Sequence, residues 1–302
     1  MKRILKAFLF LFFIGITTIM QGQATDLVRV EYTYFPQSNS DNSFSRFKSF
    51  LKFPIKLNDS GAYLIPGIQY ENVNFQYKDD APFLTENLEN LKAYSFNLGY
   101  TFKMTEDWRF GAVVEAIATS NFETGDLQNE DIEYTGSVYF IKSRDSVEGD
   151  IRSWRLILGL RYSTSTSVKF PLPIVNYYKR FDPKWSYTLG VPKSNLRYYF
   201  TENSALQAYV TIDGFYANVQ NKFNTNPTTS LDQRLAQNIS MTTVLSGIGY
   251  EWNFSKYFSF YIYGGHSLIN KIRLRDENQD RVYTINDTNS LYGRTGLKFS
   301  IL

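Results

Sequence analysis

The sequence predicts an all-β fold, a transmembrane antiparallel up-and-down β-barrel of about fourteen strands, or about twelve as the alternative, closed by the C-terminal strand. Three observations predict it. Charged residues alternate with aromatic and aliphatic residues at every second position, short and long connections alternate along the chain, and the last residues keep the pattern of a strand. A strand with one apolar and one charged face needs two environments, and a closed wall between lipid and water provides both.

The N-terminus has the layout of a secretory signal peptide. Basic residues at the start precede an apolar run at residues 7–20, and small or polar residues follow at 21–23. The run is shorter than the about 20 residues of a membrane-spanning helix. We therefore expect a signal peptide over residues 1–22 and a single β-barrel domain over residues 23–302.

The composition favours an exported membrane barrel over other classes of protein. Aromatic residues make up 17% of the chain, with 23 Tyr and 25 Phe, and barrels place such rings in girdles at both membrane interfaces. The chain has no cysteine, so it is neither a disulfide-stapled scaffold nor anchored through a lipidated cysteine. The net charge of +3 is too small to indicate nucleic acid, and no motif predicts a nucleic-acid partner or a cofactor.

Strand patterns follow one another through the first half of the mature chain. They lie near residues 26–35, 44–58, 62–77, 94–102, 108–116, 131–142 and 154–162. In the second of them, Phe47 and Phe53 lie on one face, and Lys48, Lys52 and Lys56 lie on the other. A Lys or Arg in contact with lipid at mid-membrane costs roughly 2–4 kcal/mol, so the basic faces are expected to point inward.

The middle of the chain contains three shorter patterns, at residues 172–180, 185–191 and 195–201, around Pro183 and Pro192. A tilted strand needs about 9–11 residues to cross a membrane. Two interpretations stay open: a low part of the barrel wall, or a segment that folds inward and lowers the strand count. Later patterns lie near residues 206–213, 236–252, 257–272 and 289–302.

The connections between these patterns form two groups. Those near 58–61, 105–107, 181–184, 201–204 and 253–256 are short, whereas those near 36–43, 78–89, 123–130, 221–234 and 275–288 are long and polar. Outer-membrane barrels have short periplasmic turns and long outer loops. The asymmetry therefore predicts which end of each strand faces outward, with residues 143–150 as an exception on the periplasmic side.

The sequence offers little for catalysis or metal binding. His266 is the only histidine, and Ser267 follows it. Adjacent strand residues point to opposite faces, so a Ser–His pair would need a bulge, for which Gly264 and Gly265 are suitable. An interface or packing role and a hydrolase centred on His266 both stay open. The spacing of acidic residues after Arg275 resembles a calcium loop, but Arg281 stands where that loop needs glycine. We therefore expect no metal site, and no residue is predicted to be catalytic.

The residues expected to line the lumen are mostly basic. The candidates are Arg29, Lys48, Lys52, Lys56, Arg109, Glu115, Arg155, Arg161, Asp213, Arg294 and Lys298. One interpretation is a basic lumen that favours anions, because charge on a low-dielectric wall focuses the field. The other is a network in which arginines pair with carboxylates and fill the bore. A barrel of about twelve to fourteen strands is compatible with both.

The C-terminal strand pattern carries a possible assembly signal. Arg294, Gly296, Phe299 and Ile301 resemble the polar, glycine, aromatic and apolar spacing by which bacterial outer-membrane barrels are recognised for assembly, although Leu302 replaces the usual terminal aromatic. This segment, the signal peptide and the Leu-Gly-Val-Pro segment at 189–192 together resemble an uncharacterised Gram-negative outer-membrane β-barrel family.

That resemblance implies the fold and a location in the cell outer membrane, but no catalytic residue. The partners it implies are outer-membrane lipid, lipopolysaccharide and the barrel assembly machinery. We expect a passive or weakly selective pore or transporter for small solutes through a basic lumen, and not an enzyme. The alternatives are a membrane-embedded hydrolase centred on His266 and a structural or adhesive barrel that acts through its outer loops.

Overall fold

The computed structural model describes residues 25–144, 153–164, 170–225 and 235–301. The expected signal peptide, Leu302 and parts of the connections expected at 143–150 and 221–234 lie outside these ranges. The strands are β1 (Thr25–Pro36), β2 (Ser43–Lys52), β3 (Ile55–Lys56), β4 (Tyr63–Gln76), β5 (Asn90–Lys103), β6 (Trp108–Ser120), β7 (Ile132–Arg144), β8 (Trp154–Ser163), β9 (Leu172–Asp182), β10 (Trp185–Gly190), β11 (Lys193–Thr201), β12 (Ser204–Asn224), β13 (Leu235–Asn253), β14 (Phe258–Arg275), β15 (Arg281–Asn286) and β16 (Leu291–Ile301). Two short 3-10 helices cover Glu86–Leu88 and Asn129–Asp131.

Fourteen of these strands form a closed antiparallel barrel. Their order around the wall is β1, β2, β4, β5, β6, β7, β8, β9, β10, β11, β12, β13, β14 and β16, and β16 pairs with β1. Strand β3 pairs only with β4, and β15 pairs only with β14. The predicted all-β barrel of about fourteen strands, closed by the C-terminal strand, is confirmed. The alternative of about twelve is wrong, because β9, β10 and β11 stand in the wall between β8 and β12.

The outer surface of the wall is apolar. The exposed large hydrophobic residues at strand positions that point outward include Val30, Tyr32, Ile68, Tyr94, Phe96, Val114, Tyr134, Val138, Leu158, Leu160, Leu196, Val210, Ile248, Ile262 and Leu297. The alternate positions carry the charged residues and are mostly less exposed. Within the described ranges, no helix is long and apolar enough to span a membrane.

The strands differ greatly in length. Strands β8, β9, β10 and β11 have 10, 11, 6 and 9 residues, whereas β12, β13 and β14 have 21, 19 and 18. We call the end of the barrel that holds the β5–β6 and β13–β14 connections the turn rim and the opposite end, which also holds the short β10–β11 connection, the loop rim. The low part of the wall is therefore β8–β11, and β12–β14 extend farthest toward the loop rim.

Strand β12 separates from β11 as it approaches the loop rim, while it stays paired with β13. It pairs with β11 as far as the Lys193–Thr211 pair, and Ile212 N–H then donates to the Pro192 carbonyl at 2.8 Å. Farther along, β12 meets β6, where Asn218 and Ser120 form a parallel bridge. The alternation of burial ends there, because residues 217–220 are all buried. The free edge of β12 therefore turns into the interior and reaches β6, while its other edge stays paired with β13; we call this the crossing of β12.

The crossing divides the interior at the loop rim into two parts. We call the part bounded by β13, β14, β16, β1, β2, β4 and β5 the packed side, and the part bounded by β7–β11 the accessible side. The packed side holds a hydrophobic core that includes Phe35, Phe44, Val73, Phe75, Leu91, Phe215, Val219, Ile239 and Leu274. Phe35 stacks on Phe44 with ring centroids 4.4 Å apart. This half of the interior is filled like the core of a soluble protein.

Candidate solute-binding interior

An ion network joins distant strands on the packed side. Arg46 on β2 has its Nη2 2.6 Å from Asp213 Oδ2 and its Nε 3.6 Å from Glu71 Oε1. Arg294 on β16 shares the same Asp213 oxygen at 2.6 Å and lies 3.5 Å from Glu31 Oε1. Each of these five side chains is buried or nearly so. The charges here therefore neutralise one another inside the wall.

A second carboxylate, Glu251 on β13, collects several donors. Arg197 Nη2 lies 2.7 Å from Glu251 Oε2, and Lys298 Nζ lies 3.2 Å from Oε1. Gln207 Nε2 donates to Glu251 Oε1 at 2.9 Å, and the Tyr263 hydroxyl donates to the same oxygen. A carboxylate with this many donors is fully occupied by its own network. It offers nothing further to a solute.

The inner faces of β8–β11 differ from the packed side in both charge and exposure. Arg155 on β8, Arg180 on β9 and Lys193 on β11 are partly exposed. Within the part of the chain that the structure describes, none of them forms an ion pair with a carboxylate. These three cations therefore have no ion-pair partner among the described residues, and the one inward carboxylate on β7 that lacks a cation partner there is Glu133, which accepts from the Thr164 hydroxyl.

Two of these strands hold their guanidinium groups against one ring. Arg180 Cζ lies 4.8 Å from the centroid of the Tyr199 ring, and Arg197 Cζ lies 5.2 Å from it. The Tyr199 hydroxyl is 3.2 Å from Ser186 Oγ. Arg180 and Arg197 are each directly opposite Ser186 in the sheet. Cation–π contact of this kind fixes the guanidinium planes.

The lumen candidates predicted from the sequence lie in different parts of the structure and have different partners. Arg29 pairs with Asp26, Lys48 lies 3.5 Å from Glu71, and Arg161 lies 3.8 Å from Glu115. Arg294, Lys298 and Asp213 belong to the networks described above, Lys52 Nζ lies 5.1 Å from the Phe50 ring centroid, and Arg109 Nη1 donates to the Gly61 carbonyl at 2.8 Å. Arg155 is the one candidate on the accessible side that lacks an ion pair among the described residues.

Lys56 lies apart from the interior. It is on β3 beside the turn rim, is exposed, and forms an ion pair with Asp59 at 2.7 Å. Its hydrogen bond holds the pKa of the Asp59 carboxyl below its usual range. The break in β2 after Lys52 explains the placement, because β3 begins a separate short pairing with β4.

Several charged interior residues were missing from the sequence-based set. They are Arg46, Glu71, Arg180, Lys193, Arg197 and Glu251. A signal was available for Arg197, since Asn195, Arg197 and Tyr199 alternate with Leu196, Tyr198 and Phe200. The nearby prolines shorten the pattern and conceal it.

Four residues of the expected assembly signal lie on β16. Phe299 packs on Phe258 with ring centroids 5.0 Å apart, at the turn rim. A Cβ at Gly296 would overlap the Val30 carbonyl oxygen and the Tyr261 side chain. Arg294 belongs to the ion network, and Ile301 is opposite Thr25 at the end of the β1–β16 pairing. The segment therefore has structural roles of its own in closing the barrel.

His266 and Ser267 do not form a catalytic pair. His266 is exposed on the outer surface, and Nδ1 lies 2.7 Å from the Ser267 carbonyl oxygen. The Ser267 hydroxyl is buried and accepts from Ser290 N–H at 2.9 Å. The bulge needed at Gly264 and Gly265 is absent, because both residues keep regular pairing with β13.

The acidic loop after β14 binds its own backbone. Asp276 Oδ1 accepts the N–H groups of Asn278 at 3.0 Å and Asp280 at 2.9 Å. In residues 25–144, 153–164, 170–225 and 235–301, no group of three or more His, Cys, Asp or Glu side chains is arranged to hold a metal ion.

Comparisons with known proteins identify one family and several barrels. The family model "Domain of unknown function (DUF6268)" matches residues 23–300. Among solved structures, an outer membrane channel from Pseudomonas putida F1 matches at 9% identity and a TM-score of 0.43, over 95% of this chain and 100% of that one. LpxR from Salmonella typhimurium matches at 8% and 0.39, over 91% and 99% of the two chains. The NanC porin matches at 10% and 0.37, over 91% and 100%. No curated protein matches the chain.

Proposed function

The chain belongs to the family of unknown function whose model covers residues 23–300, and from that premise we propose that it is an outer-membrane pore through which small anions cross. The expected membership in an uncharacterised outer-membrane barrel family is confirmed. The proposal concerns what such a barrel does, and it is carried by one observation. Arg155, Arg180 and Lys193 on the inner faces of β8–β11 have no ion-pair partner among the described residues, whereas the arginines of the packed side are paired with carboxylates.

The path follows from the shape of the interior. The crossing of β12 and the apolar core fill the packed side at the loop rim. The accessible side is bounded by β7–β11, whose inner faces include Arg155, Asn176, Arg180 and Lys193 in partly exposed positions. Small solutes would therefore pass along β7–β11. A barrel of this size with part of its bore filled at the loop rim should conduct less than an open one.

The preference for anions follows from electrostatics. Cations on the wall of a narrow, low-dielectric passage raise the local concentration of anions and repel cations. On the packed side, the carboxylates of Asp213 and Glu71 already balance the charge of Arg46. These three charged groups therefore contribute little to the electric field in the passage. The selectivity is therefore assigned to β8–β11.

The location and partners belong to the same proposal. A charged interior surrounded by exposed apolar residues suits a bilayer, where lipid and lipopolysaccharide would contact the outer surface. Export would require removal of residues 1–22, and the assembly machinery would recognise β16 through Arg294, Gly296, Phe299 and Ile301. The domain would then comprise residues 23–302.

Conductance in planar bilayers tests the proposal. The folded barrel should form small channels, and a KCl gradient should give a reversal potential of the sign that indicates anion preference. Replacement of Arg155 and Arg180 by glutamine should move that potential toward the cation side. Lys56→Gln is the matched control, since it removes one exposed charge outside the interior. Absence of conductance, or the same shift in the control, would overturn the proposal.

A further inference from the structure

Arg155, Arg180 and Arg197 lie on β8, β9 and β11, within four consecutive strands of the wall, and project from the same inner face. Arg155 on β8 is directly opposite Tyr178 on β9, and Arg180 is two residues farther along that strand. Arg180 and Arg197 are both opposite Ser186 on β10. Since neighbouring strands are about 4.8 Å apart, Arg180 and Arg197 arise about 10 Å from each other. We call these three residues the arginine patch.

The arginine patch has hydrogen-bond donors that no protein group uses. A guanidinium has five N–H donors. The Nε atoms of all three arginines are buried and donate to no group among the described residues. Arg180 Nη2 donates to the Pro183 carbonyl at 2.6 Å, and Arg197 Nη2 donates to Glu251 at 2.7 Å. Because the three Nε atoms are out of reach of solvent, the donors that remain for a ligand with acceptor oxygens are the Nη groups that these two bonds do not use.

The guanidinium groups are held in place before any ligand arrives. The Tyr199 ring supports Arg180 and Arg197, and the contact between the Tyr199 hydroxyl and Ser186 Oγ orients that ring. Fixed donors lose less conformational freedom on binding than flexible ones. This arrangement differs from surface lysines, whose ammonium groups move freely on long stems.

The charge balance of the patch favours an anion. Glu251 is the one carboxylate in ion-pair contact with the patch among the described residues, and it contacts Arg197 alone. Lys193 adds a further cation on the same face of β11, above the rings of Tyr209 and Tyr263 at 5.2 Å from each centroid. Positive charge therefore exceeds negative charge at this point of the passage.

We propose that the arginine patch is a binding site for oxyanions, so that solutes with a carboxylate or phosphate group bind there during passage. This rests on the proposed pore function and goes further, because a diffuse positive field would attract chloride equally well. A planar guanidinium fork matches the two oxygens of a carboxylate or phosphate, whereas a spherical halide cannot use the fork.

The test separates charge from geometry. Arg155→Lys combined with Arg180→Lys keeps the positive charge and removes the forks. In planar bilayers carrying a chloride current, inorganic phosphate or succinate should block the wild-type channel in a saturable way. The double variant should need about tenfold more of either blocker, a change equivalent to about 1.4 kcal/mol. Its reversal potential in a KCl gradient should equal that of the wild type.

Arg109→Lys is the matched control, because Arg109 is on β6, outside the patch, and its Nη1 already donates to the Gly61 carbonyl; block of this variant should remain that of the wild type. Block by phosphate alone assigns the site to phosphorylated solutes, and block by succinate alone assigns it to carboxylates. Equal block in the double variant and the wild type, or no block at all, overturns the site.

A binding measurement separates this site from the pore function itself. Isothermal titration of the detergent-folded barrel with succinate and with phosphate requires no conductance. Binding that Arg155→Lys weakens would support the site even if the barrel formed no channel. Anion-selective channels that bind neither probe would preserve the pore function and reject the site.

Discussion

Arg46 on β2 and Asp213 on β12 form an ion pair of 2.6 Å across the interior, although β1, β16, β14 and β13 separate their strands along the wall. Such direct contact requires the barrel to be drawn inward at β12. The pair also places Asp213 between Arg46 and Arg294. The ion network and the crossing of β12 are therefore parts of one arrangement.

Removal of Arg46 should destabilise the barrel strongly. Arg46→Ala leaves Asp213 and Glu71 without a buried partner, and loss of one member of a buried ion pair costs about 3–5 kcal/mol. Urea unfolding in detergent, followed by the change in electrophoretic mobility on heating, measures the loss. Lys56→Ala should change stability little, because its ion pair is exposed. Equal stability of the two variants would contradict the role of the network.

Release of the β12 crossing should enlarge the passage. Asp131 is buried beside β6 and accepts from Asn218 Nδ2 at 2.8 Å and Gln220 Nε2 at 2.7 Å. Hydrogen bonds to a charged group contribute about 1.5–3 kcal/mol each, so Asp131→Ala should weaken the crossing by about 3 kcal/mol or more. Single-channel recordings should show larger conductance.

The neighbouring Glu130 provides the control for that experiment. It lies in the same 3-10 helix but is exposed, so Glu130→Ala should conduct like the wild type. If Asp131→Ala also conducts like the wild type, the crossing does not limit the passage.

Closure of the barrel should depend on Gly296. A Cβ there would overlap the Val30 carbonyl oxygen and Tyr261, so Gly296→Ala should separate β16 from β1 and reduce the heat-modifiable, folded fraction severalfold. Gly293→Ala is the control, because a Cβ at Gly293 has no neighbouring atom within 4 Å. Refolding of the purified chain without the assembly machinery distinguishes this steric effect from loss of a recognition signal. Normal refolding of Gly296→Ala would exclude the steric explanation.

A charge on the outer surface should hinder insertion. Val114 is 61% exposed on β6, and lysine at mid-membrane costs roughly 2–4 kcal/mol. Val114→Lys should therefore lower the free energy of unfolding in lipid vesicles by roughly 2–4 kcal/mol. Glu106→Lys, in the turn before the same strand, should fold normally. Equal folding of the two variants would mean that Val114 does not contact hydrocarbon.

The sequence predicts the wall better than the interior, for a physical reason. Which face of a strand points outward depends on alternation, so the outward positions of Val114 and Leu158 follow from local pattern. Which charges meet inside depends on the cross-section of the closed barrel. The contact between Arg46 and Asp213, 167 positions apart, has no local signal.

The sequence contains only a partial signal for the crossing of β12. Strand alternation is regular from Leu206 to Ile212, and burial then becomes continuous at residues 217–220. A run of Ala, Asn, Val and Gln at those positions is equally typical of a strand that enters an outer loop. The partner, Ser120, is known only from the fold. The arginine patch was not predicted for a related reason. Pro183 and Pro192 lie in the connections between its short strands, which leaves each strand pattern short.

The short hairpin of β10 and β11 has a consequence for the surrounding bilayer. With 6 residues, β10 extends about 20 Å along its axis, less than the apolar band of about 25 Å that barrels present to lipid. In a bilayer, acyl chains beside Leu189, which is 58% exposed, would shorten or splay to cover it, whereas those beside the 18-residue β14 would not. In the proposed membrane setting, hydrophobic mismatch of this one-sided kind would thin the bilayer on the side of β10 alone.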